Sequence, residues 1–283
     1  MNRKCSVVKD GICYTGPVAS VAKLSGYSES TLRGICSGWY DKQKVRAWYT
    51  DSNNCWESAF SFWNPTMAYV LGYFVADGCL RNKPYCSKGV SKPRWYFRVG
   101  SIDRDIVEFV SRFLQSKQSI LVSTSYCPVN EFYTFELCNS KIAYDLLNLG
   151  IVERKTYEDF DIDIPVAFES DFWRGFLDGD GSYIVQNKQK GKFVYLYVDA
   201  VFTSLNVKLR RRYEEFLSRN GIKFCSYEVL HKNGKIPVHF VRVLRKSSVE
   251  DLLNVLDVDV KFMCSRKRSM ISKVYGGRVF CRS

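Results

Sequence analysis

The chain has 283 residues, and its 42 lysines and arginines outnumber its 29 aspartates and glutamates, which gives a formal net charge of +13. A hydrophobic content of 46% excludes a disordered chain and suffices for one large domain or two ordinary ones. The longest apolar run, residues 67–76, is too short to cross a bilayer, and no apolar secretion signal follows the N-terminus. No membrane partner is therefore expected, and the charge favours a polyanion as the first partner.

Cysteine and histidine usage indicates the compartment. The chain has 11 cysteines, an odd number without a CxxC pair, and only 2 histidines. This pattern is typical neither of a disulfide framework nor of zinc binding, so His231 and His239 are not expected to be zinc ligands. Free thiols indicate a reducing intracellular compartment, such as the cytoplasm of a bacterial or phage host or an organelle matrix.

The first predicted elements lie in an N-terminal segment of residues 1–63. Residues 17–38 have the pattern of helix, turn and helix, with Pro17 at the start of the first helix and Ser28 as the cap of the second. The pattern resembles a helix-turn-helix DNA-binding module, whose second helix would present Arg33 to a groove. The alternative is a helical hairpin that only packs on the main domain. An aromatic connector with four tryptophans follows.

The rest of the chain is an internal duplication, with one copy in residues 64–164 and another in residues 165–283. Residues 69–78 and 172–181 share an apolar helical pattern with a glycine in the middle and Asp-Gly at the end. Capping residues are expected before both helices, and they are Asn64 with Pro65 in the first copy and Ser170 with Asp171 in the second.

The elements that follow each motif also repeat, in the order two strands, helix, two strands and helix. Ser101 and Ser204 stand at the same distance from the two motif acids, and each is predicted to cap the middle helix. The predicted strands include residues 95–99, 120–126 and 132–137 of the first copy and residues 194–202, 223–230 and 238–244 of the second. Each copy ends on an Arg-Lys pair, Arg154 with Lys155 and Arg266 with Lys267.

The two motif helices pose a chemical question at their C-termini. Gly72 and Gly175 would allow a close helix–helix contact, and packing alone explains them. Packing does not explain Asp77 and Asp180, because a carboxylate at a helix C-terminus meets the unfavourable end of the helix dipole. If the helices cross side by side, the two acids emerge together and need a cation between them, for which Mg²⁺ suits hard oxygen ligands. Carboxylates that hold metal beneath a basic surface favour phosphodiester cleavage.

These residues also carry a family resemblance. Residues 70–78, Val-Leu-Gly-Tyr-Phe-Val-Ala-Asp-Gly, and residues 173–181, Trp-Arg-Gly-Phe-Leu-Asp-Gly-Asp-Gly, resemble the LAGLIDADG motif of homing endonucleases, present twice as in the single-chain members. The resemblance implies an α+β fold of two pseudo-symmetric αββαββα halves that meet at the motif helices. Their two four-stranded antiparallel sheets would form a saddle over DNA, with a small helix-turn-helix-like segment in front.

The resemblance also implies the site and the reaction. The metal ligands fall on Asp77 and Asp180, together with the preceding residues Ala76 and Gly179, and the basic residues near the end of each half match Lys155 and Lys267. The implied activity is a monomeric, sequence-specific endonuclease that uses two or more Mg²⁺ ions, with Mn²⁺ as a substitute. It would cut both strands of a long asymmetric double-stranded DNA site across the minor groove, while its sheets read the major groove.

Basic residues on or beside the predicted strands are candidates for DNA contact. Side-chain alternation decides which of them face the groove. Besides Arg33, the candidates are Arg81, Lys83, Arg94, Arg98, Lys188, Lys192, Lys232 and Lys235. The first copy has 12 basic and 12 acidic residues, whereas the second has 22 and 12, and this predicts an asymmetric grip on an asymmetric target.

Two other functions on the same fold stay open at this point. One is an intron RNA maturase that assists splicing, and the other is a DNA-binding regulator without catalysis. The first motif departs from the second by having Val75 and Ala76 in place of Asp178 and Gly179. Because both terminal acids are retained, the sequence favours the nuclease over the regulator, but it does not exclude a protein that is both nuclease and maturase.

Overall fold

The computed structural model describes residues 4–9, 12–36, 46–49, 55–87, 90–124, 131–155, 158, 160–190, 193–230, 237–258 and 261–275. The N-terminal unit consists of β1 (Lys4–Lys9), β2 (Ile12–Pro17), α1 (Val18–Ser25), α2 (Glu29–Cys36) and β3 (Arg46–Tyr49). Its strands form an antiparallel sheet in the order β2-β1-β3, and the unit has a small core of its own that includes Val7, Val21 and Leu32.

The two predicted N-terminal helices are present, but the three-stranded sheet beside them was not predicted. Gly26 turns the chain between α1 and α2 at a φ of 73°, and the Ser28 hydroxyl accepts the Thr31 N–H as a helix cap. Pro17 ends strand β2 and does not begin the helix, so that part of the prediction is wrong. A proline has no N–H to contribute to a strand ladder, so it is tolerated at the last residue of an edge strand.

The two repeats share the order helix, two strands, helix, two strands and helix, to which each adds elements of its own. The first contains α3 (Pro65–Asp77), β4 (Cys79–Asn82), β5 (Tyr85–Ser87), β6 (Val90–Lys92), β7 (Trp95–Ser101), α4 (Arg104–Phe113), β8 (Leu121–Ser123), β9 (Phe132–Cys138) and α5 (Ser140–Asn148). The second contains a short 3-10 turn (Val166–Phe168), α6 (Glu169–Gly179), β10 (Ser182–Lys190), β11 (Phe193–Ser204), α7 (Val207–Arg219), β12 (Cys225–Leu230), β13 (Pro237–Val243), α8 (Lys246–Val255) and α9 (Ser265–Tyr275).

Both repeats build a four-stranded antiparallel sheet of the same topology. The strand order is β4-β7-β9-β8 in the first and β10-β11-β13-β12 in the second. The predicted α+β fold of two similar halves is therefore confirmed. Strands β5 and β6 add a small hairpin to the first half. None of the helices in the described part of the chain is both long and apolar enough to span a membrane.

Within the two repeats, the predicted caps are correct in one case and wrong in three. Asn64 caps α3 by accepting the Met67 N–H at 2.9 Å. Ser170 and Asp171 do not cap α6, because that helix already begins at Glu169. Ser101 and Ser204 are the last residues of β7 and β11 and are not helix caps.

The two strand-ending serines have a different local role. Their hydroxyls accept the N–H of Asp103 and of Asn206, which are the actual capping positions of α4 and α7. A serine side chain that accepts an N–H two residues later closes a tight turn. The serines therefore turn the chain from strand to helix, which places Asp103 and Asn206 at the ends of the sheets.

Side chains alternate between two faces of each sheet. In the second half, Phe202 of β11 stacks on Phe176 of α6 and Tyr213 of α7, so the even-numbered residues of β11 face the helices. The odd-numbered residues face the other way, together with the exposed residues Ile184 and Tyr227 on the neighbouring strands. We call this side of either sheet the open face.

The two halves meet where α3 crosses α6. A Cβ atom added to Gly72 would lie 1.9 Å from the Phe172 carbonyl oxygen, and one added to Gly175 would lie 1.9 Å from the Tyr69 oxygen. Both distances are far below van der Waals contact, and the obstructing atoms are backbone atoms that cannot turn aside. The helices therefore approach as closely as their backbones allow, and only glycine fits at either position.

We expect Gly72→Ala to lower the free energy of unfolding by about 1–3 kcal/mol, because the added methyl group forces the two helices apart. Alanine has the higher helix propensity by about 1 kcal/mol, so a loss means that the contact outweighs this gain. Urea unfolding checks the change in free energy. Ser272→Ala on the exposed side of α9 is the control and should stay within about 0.5 kcal/mol. Equal stability of Gly72→Ala and the wild type would contradict the close crossing.

Candidate active site

The crossing of the motif helices brings their terminal acids together. Asp77 is the last residue of α3, and Asp180 is the C-cap of α6. A Cβ atom added to Gly179 would lie 3.2 Å from the Asp77 Oδ2 atom and 2.4 Å from the Ala76 Cβ atom, so the two helix ends are in contact. Both carboxylates are accessible to solvent. The structure thus places the four predicted metal-binding residues at one point between the halves.

Both carboxylates are harder to ionise than a free aspartate. Desolvation by the surrounding protein, and then the nearby Asp180 carboxylate, raise the pKa of Asp77 to about 6, although Lys267 and Lys155 act in the opposite direction. Desolvation likewise raises the pKa of Asp180, against the same two lysines. A cation bound between Asp77 and Asp180 would offset the repulsion between the two carboxylates, so the pair is suited to bind a metal ion.

The residues present fit a hard divalent ion. No group of three or more carboxylate, histidine or cysteine side chains suited to a metal occurs within the described residues. An ion held by Asp77 and Asp180 would therefore complete its shell with backbone carbonyls, water or a bound phosphate. Mg²⁺ commonly binds through one or two carboxylates and keeps several waters, so this donor set is chemically suitable.

Lys155 reaches the site from the end of the first half. Its Nζ atom donates a hydrogen bond to the Ala76 carbonyl oxygen at 2.7 Å, and the side chain is partly accessible. Burial lowers the pKa of Lys155, with Asp180 and Asp77 opposing the shift. An ammonium group has three N–H donors, and among the described residues this lysine uses one of them. The other two are available to a substrate.

Lys267 occupies the symmetric place but has different surroundings. Its Nζ atom lies 2.7 Å from the carbonyl oxygens of Leu177, Asp178 and Gly181 and 3.0 Å from that of Gly179. The residue is only 3% exposed. Four acceptors surround three donors, so the ammonium group closes the C-terminal end of α6 and has no N–H left for a phosphate.

Each motif acid lines its own cleft. A cleft of about 240 Å³ contains Asp180, Lys155 and Ala76, and one of about 460 Å³ contains Asp77 and Gly179. The larger cleft is also lined by the charged side chains of Arg81, Arg98, Asp103 and Arg266. Two separate clefts at one helix junction could each receive one strand of a duplex.

The Asp103–Arg266 ion pair in the larger cleft was not predicted from the sequence. Two guanidinium nitrogens of Arg266 contact the Asp103 carboxylate, at 2.8 Å for the closest pair, and they join the end of the second half to the first. Although desolvation by burial opposes it, the hydrogen bonding from Arg266 holds the pKa of Asp103 below its usual value. The symmetric position holds the neutral Asn206. The difference is visible in the sequence when the two copies are aligned on Ser101 and Ser204, because Asp103 and Asn206 each follow two residues later.

Asp178 has a structural role next to the site. It is buried, and its Oδ2 atom accepts hydrogen bonds from the Tyr69 hydroxyl at 2.7 Å and the Cys264 N–H at 2.8 Å. Burial raises the pKa of Asp178 to about 6. These bonds join α6 to α3 and to the start of α9. Val75 fills the symmetric place in the first motif without such partners, so this junction exists on one side only.

The structure places most of the predicted DNA-contact residues. Arg81 of β4 and Arg98 of β7 lie on the open face of the first sheet, and Lys83 and Arg94 lie 5.3 and 5.4 Å from the centre of the Tyr96 ring. Lys188 is part of β10. Lys192, Lys232 and Lys235 lie outside the described residues, as does His231.

Two predicted residues have local partners on the protein itself. Arg33 is exposed on α2 and pairs with Glu29 at 3.1 Å. His239 is buried in β13, 3.3 Å from a Glu228 oxygen, and burial lowers its pKa. Neither contact indicates metal binding or proton transfer, so we assign Arg33 and His239 no further role.

The comparisons agree with this architecture. Residues 167–256 match a family model described as a LAGLIDADG-like domain. No curated protein matches the chain. Among solved structures, a lysine-to-alanine mutant of I-SmaMI is 13% identical with a TM-score of 0.53, over 74% of this chain and 89% of that chain. The LAGLIDADG homing endonucleases I-LtrWI and I-GzeII, in structures with target DNA, are 11% and 14% identical with TM-scores of 0.52 and 0.51. Both alignments cover 74% of this chain and 88% of that chain.

Residues 167–256 thus match a LAGLIDADG-like domain, and the described two-motif region has the fold of the LAGLIDADG endonucleases. The resemblance predicted from the two motifs is confirmed.

We expect Lys267→Met to lower the free energy of unfolding by about 1–3 kcal/mol, because it leaves buried carbonyl oxygens of α6 without a donor. Lys155→Met should cost about 1 kcal/mol or less, since its ammonium makes one hydrogen bond at a partly accessible place. Urea unfolding of both variants measures the difference. A Lys267→Met protein as stable as Lys155→Met would contradict the helix-end role of Lys267.

The raised pKa of Asp77 predicts a pH effect on stability without metal. Unfolding lowers this pKa from about 6 to its ordinary value of 3.8, so between these values the folded protein binds more protons than the unfolded chain. The Asp77 contribution therefore favours folding at low pH and is lost as the pH rises through about 6. Wild type should lose stability relative to Asp77→Asn between pH 4 and pH 7 in EDTA, by urea unfolding. A constant difference would exclude the raised pKa.

Proposed function

We propose that the protein is a sequence-specific, metal-dependent endonuclease that hydrolyses both strands of double-stranded DNA at a long, asymmetric site. One observation carries the proposal: two accessible carboxylates emerge side by side at the junction of two sheets with open faces. The fold is shared with LAGLIDADG homing endonucleases whose structures contain target DNA, which supports DNA as the partner.

Asp77 and Asp180 would hold the divalent ions, Mg²⁺ or in its place Mn²⁺, with the carbonyl oxygens of Ala76 and Gly179 close by. A bound metal supplies an activated water and stabilises the charge that develops on the leaving oxygen. The ionised carboxylates repel each other and would repel a phosphate, so ion binding and DNA binding should support each other.

The chain's own basic groups would act on the two scissile phosphates in different ways. Lys155 lines the cleft of Asp180 and can donate two N–H groups to a phosphate oxygen as a point charge. In the cleft of Asp77, the positive charge comes from Arg81 and Arg98, because Arg266 pairs with Asp103 and the corresponding lysine, Lys267, is committed to the end of α6. We therefore infer a catalytic role for Lys155 and a positioning role for Lys267.

Both motifs lie on one polypeptide, so a single chain supplies both acids and a monomer suffices. Seven cysteines of the described region are thiols and not halves of a disulfide, which supports the proposed reducing intracellular location. In a LAGLIDADG protein with both acids, we further propose homing of a mobile element as the biological role. The maturase and regulator alternatives make different predictions in the experiment below.

We expect the wild-type chain with Mg²⁺ to linearise plasmids from a library of long random targets, and EDTA to abolish the cleavage. Asp77→Asn and Asp180→Asn should each reduce cleavage by about 100-fold or more, because each removes a metal ligand of the reaction. Gel analysis with separately labelled strands measures cutting of each strand. Lys155→Met should slow cutting of one strand more than of the other, since it lines one cleft.

Glu158→Gln, a carboxylate of the described part of the chain that is exposed and outside both clefts, is the matched control and should cut like the wild type. Absence of cleavage of any target would overturn the nuclease. Sequence-specific DNA binding without cleavage would favour the regulator, and RNA binding with rescue of splicing would favour the maturase. Full activity of both aspartate variants would show that Asp77 and Asp180 do not form the active site.

A further inference from the structure

A polar cluster on the open face of the second sheet has no role in the site above. Strand register places Gln186 of β10, Tyr197 and Asp199 of β11, and Arg242 of β13 on this face. We call these four residues the Asp199 network. The other face of the same strands carries Val198, Ala200, Val241 and Val243, which are buried against the helices.

Hydrogen bonds join the four side chains in a row. The Tyr197 hydroxyl donates to Gln186 Oε1 at 2.6 Å, and Gln186 Nε2 donates to Asp199 Oδ2 at 2.7 Å. Arg242 Nη2 donates to the same Asp199 oxygen at 2.8 Å. Asp199 is 1% exposed although it belongs to the open face, so its neighbours cover it. A carboxylate desolvated in this way is costly unless its partners are held in place.

The network is incompletely satisfied within the described residues. Asp199 Oδ1 and Arg242 Nε are buried and have no hydrogen-bond partner there. A buried polar network with open donors and acceptors indicates a need beyond folding stability. Arg242 itself is 28% exposed, so its guanidinium is accessible from the open face while Asp199 holds it from below.

The symmetric positions of the first sheet have different chemistry. Register relative to the motif acids matches Gln186 with Lys83, Tyr197 with Arg94, Asp199 with Tyr96 and Arg242 with Glu136. There, two cations flank an aromatic ring, whereas here one arginine contacts the Asp199 carboxylate and the Tyr227 side chain. The two halves therefore offer different hydrogen-bonding groups at the same place on the saddle.

We propose that Arg242 reads a guanine in the half-site under the second sheet, and that Asp199 is the positioning residue that fixes its guanidinium. This inference rests on the DNA binding of the proposed function but not on cleavage. Guanine offers two adjacent acceptors, N7 and O6, in the major groove, and the planar donor fork of arginine matches both at once, whereas a lysine ammonium is a point charge.

A phosphate is the weaker alternative as the ligand of Arg242. β13 lies between β11 and β12 in the second sheet, so Arg242 lies within the open face and not on an edge strand. The Asp199 carboxylate beneath it would repel a phosphate, whereas a neutral base edge meets no such repulsion. An arginine already held by a carboxylate also loses little side-chain freedom on binding.

The test is selection of bound duplexes from a random pool by the full chain with Ca²⁺, the ion present in an I-SmaMI structure with uncleaved target DNA, which separates recognition from cleavage. The wild type should select a consensus with guanine at one position of the second half-site. Arg242→Lys keeps the charge but loses the paired donors, so preference at that position should fall by about tenfold or more. Asp199→Asn should relax preference at the same position while the thermal midpoint of unfolding changes little.

Arg219→Ala is the matched control, because Arg219 also pairs with a carboxylate, Glu169 at 2.6 Å, but on the helical side of the same half. It should leave the consensus unchanged. The salt dependence of binding should stay the same in Arg242→Lys and Asp199→Asn, whereas Arg94→Ala should reduce the slope by about one phosphate contact.

Three results would overturn the inference. One is an unchanged consensus in Arg242→Lys, and another is an even loss of affinity at all positions in Asp199→Asn. The third is the absence of any consensus for the wild type, which would also remove DNA recognition from the proposed function. A clear consensus without cleavage in Mg²⁺ would leave the role of Arg242 intact and reject only the nuclease.

Discussion

The contact between α3 and α6 at Gly72 and Gly175 determines where everything else lies. Each glycine faces a backbone carbonyl of the opposite helix, so the crossing point and the separation of the axes are set by backbone atoms. The C-terminal ends of both helices are then adjacent, and with them Asp77 and Asp180. The same contact positions the two sheets relative to each other, since each sheet packs on the motif helix of its own half.

Asp77 and Asp180 each lie at the negative end of a helix dipole, which is unfavourable for a carboxylate. The positive groups that offset this effect differ between the two helix ends. The Lys267 ammonium group contacts four carbonyl oxygens at the end of α6, whereas the Lys155 ammonium group contacts one at the end of α3. One lysine therefore stabilises the helix end and the other faces the cleft. The Asp103–Arg266 pair and the buried Asp178 occur on one side only and add to this inequality. Pseudo-symmetry of the backbone does not carry over to the chemistry of the site.

Within the described residues, the basic side chains of the two halves lie in different places. The second half has the larger excess of basic residues, but many of them lie on its helices and are paired with carboxylates, as in Arg212–Asp161 and Arg219–Glu169. The electroneutral first half places Arg81, Lys83, Arg94 and Arg98 on or beside its open face. Net charge sums over all faces, whereas a groove responds to the side chains that alternation directs into it.

Much of the architecture could be predicted from the sequence, because the signals are local or repeated. The apolar periodicity, the mid-helix glycines and the two Asp-Gly ends determined the motif helices, their pairing and the acids at their ends. The N-terminal sheet, the misplaced caps at Ser101 and Ser204 and the Asp199 network depended on strand pairing and on contacts between distant residues. Likewise, Lys155 and Lys267 are equivalent in the sequence, and only the tertiary structure distinguishes them, because the number of carbonyl oxygens around an ammonium group depends on how separate segments pack.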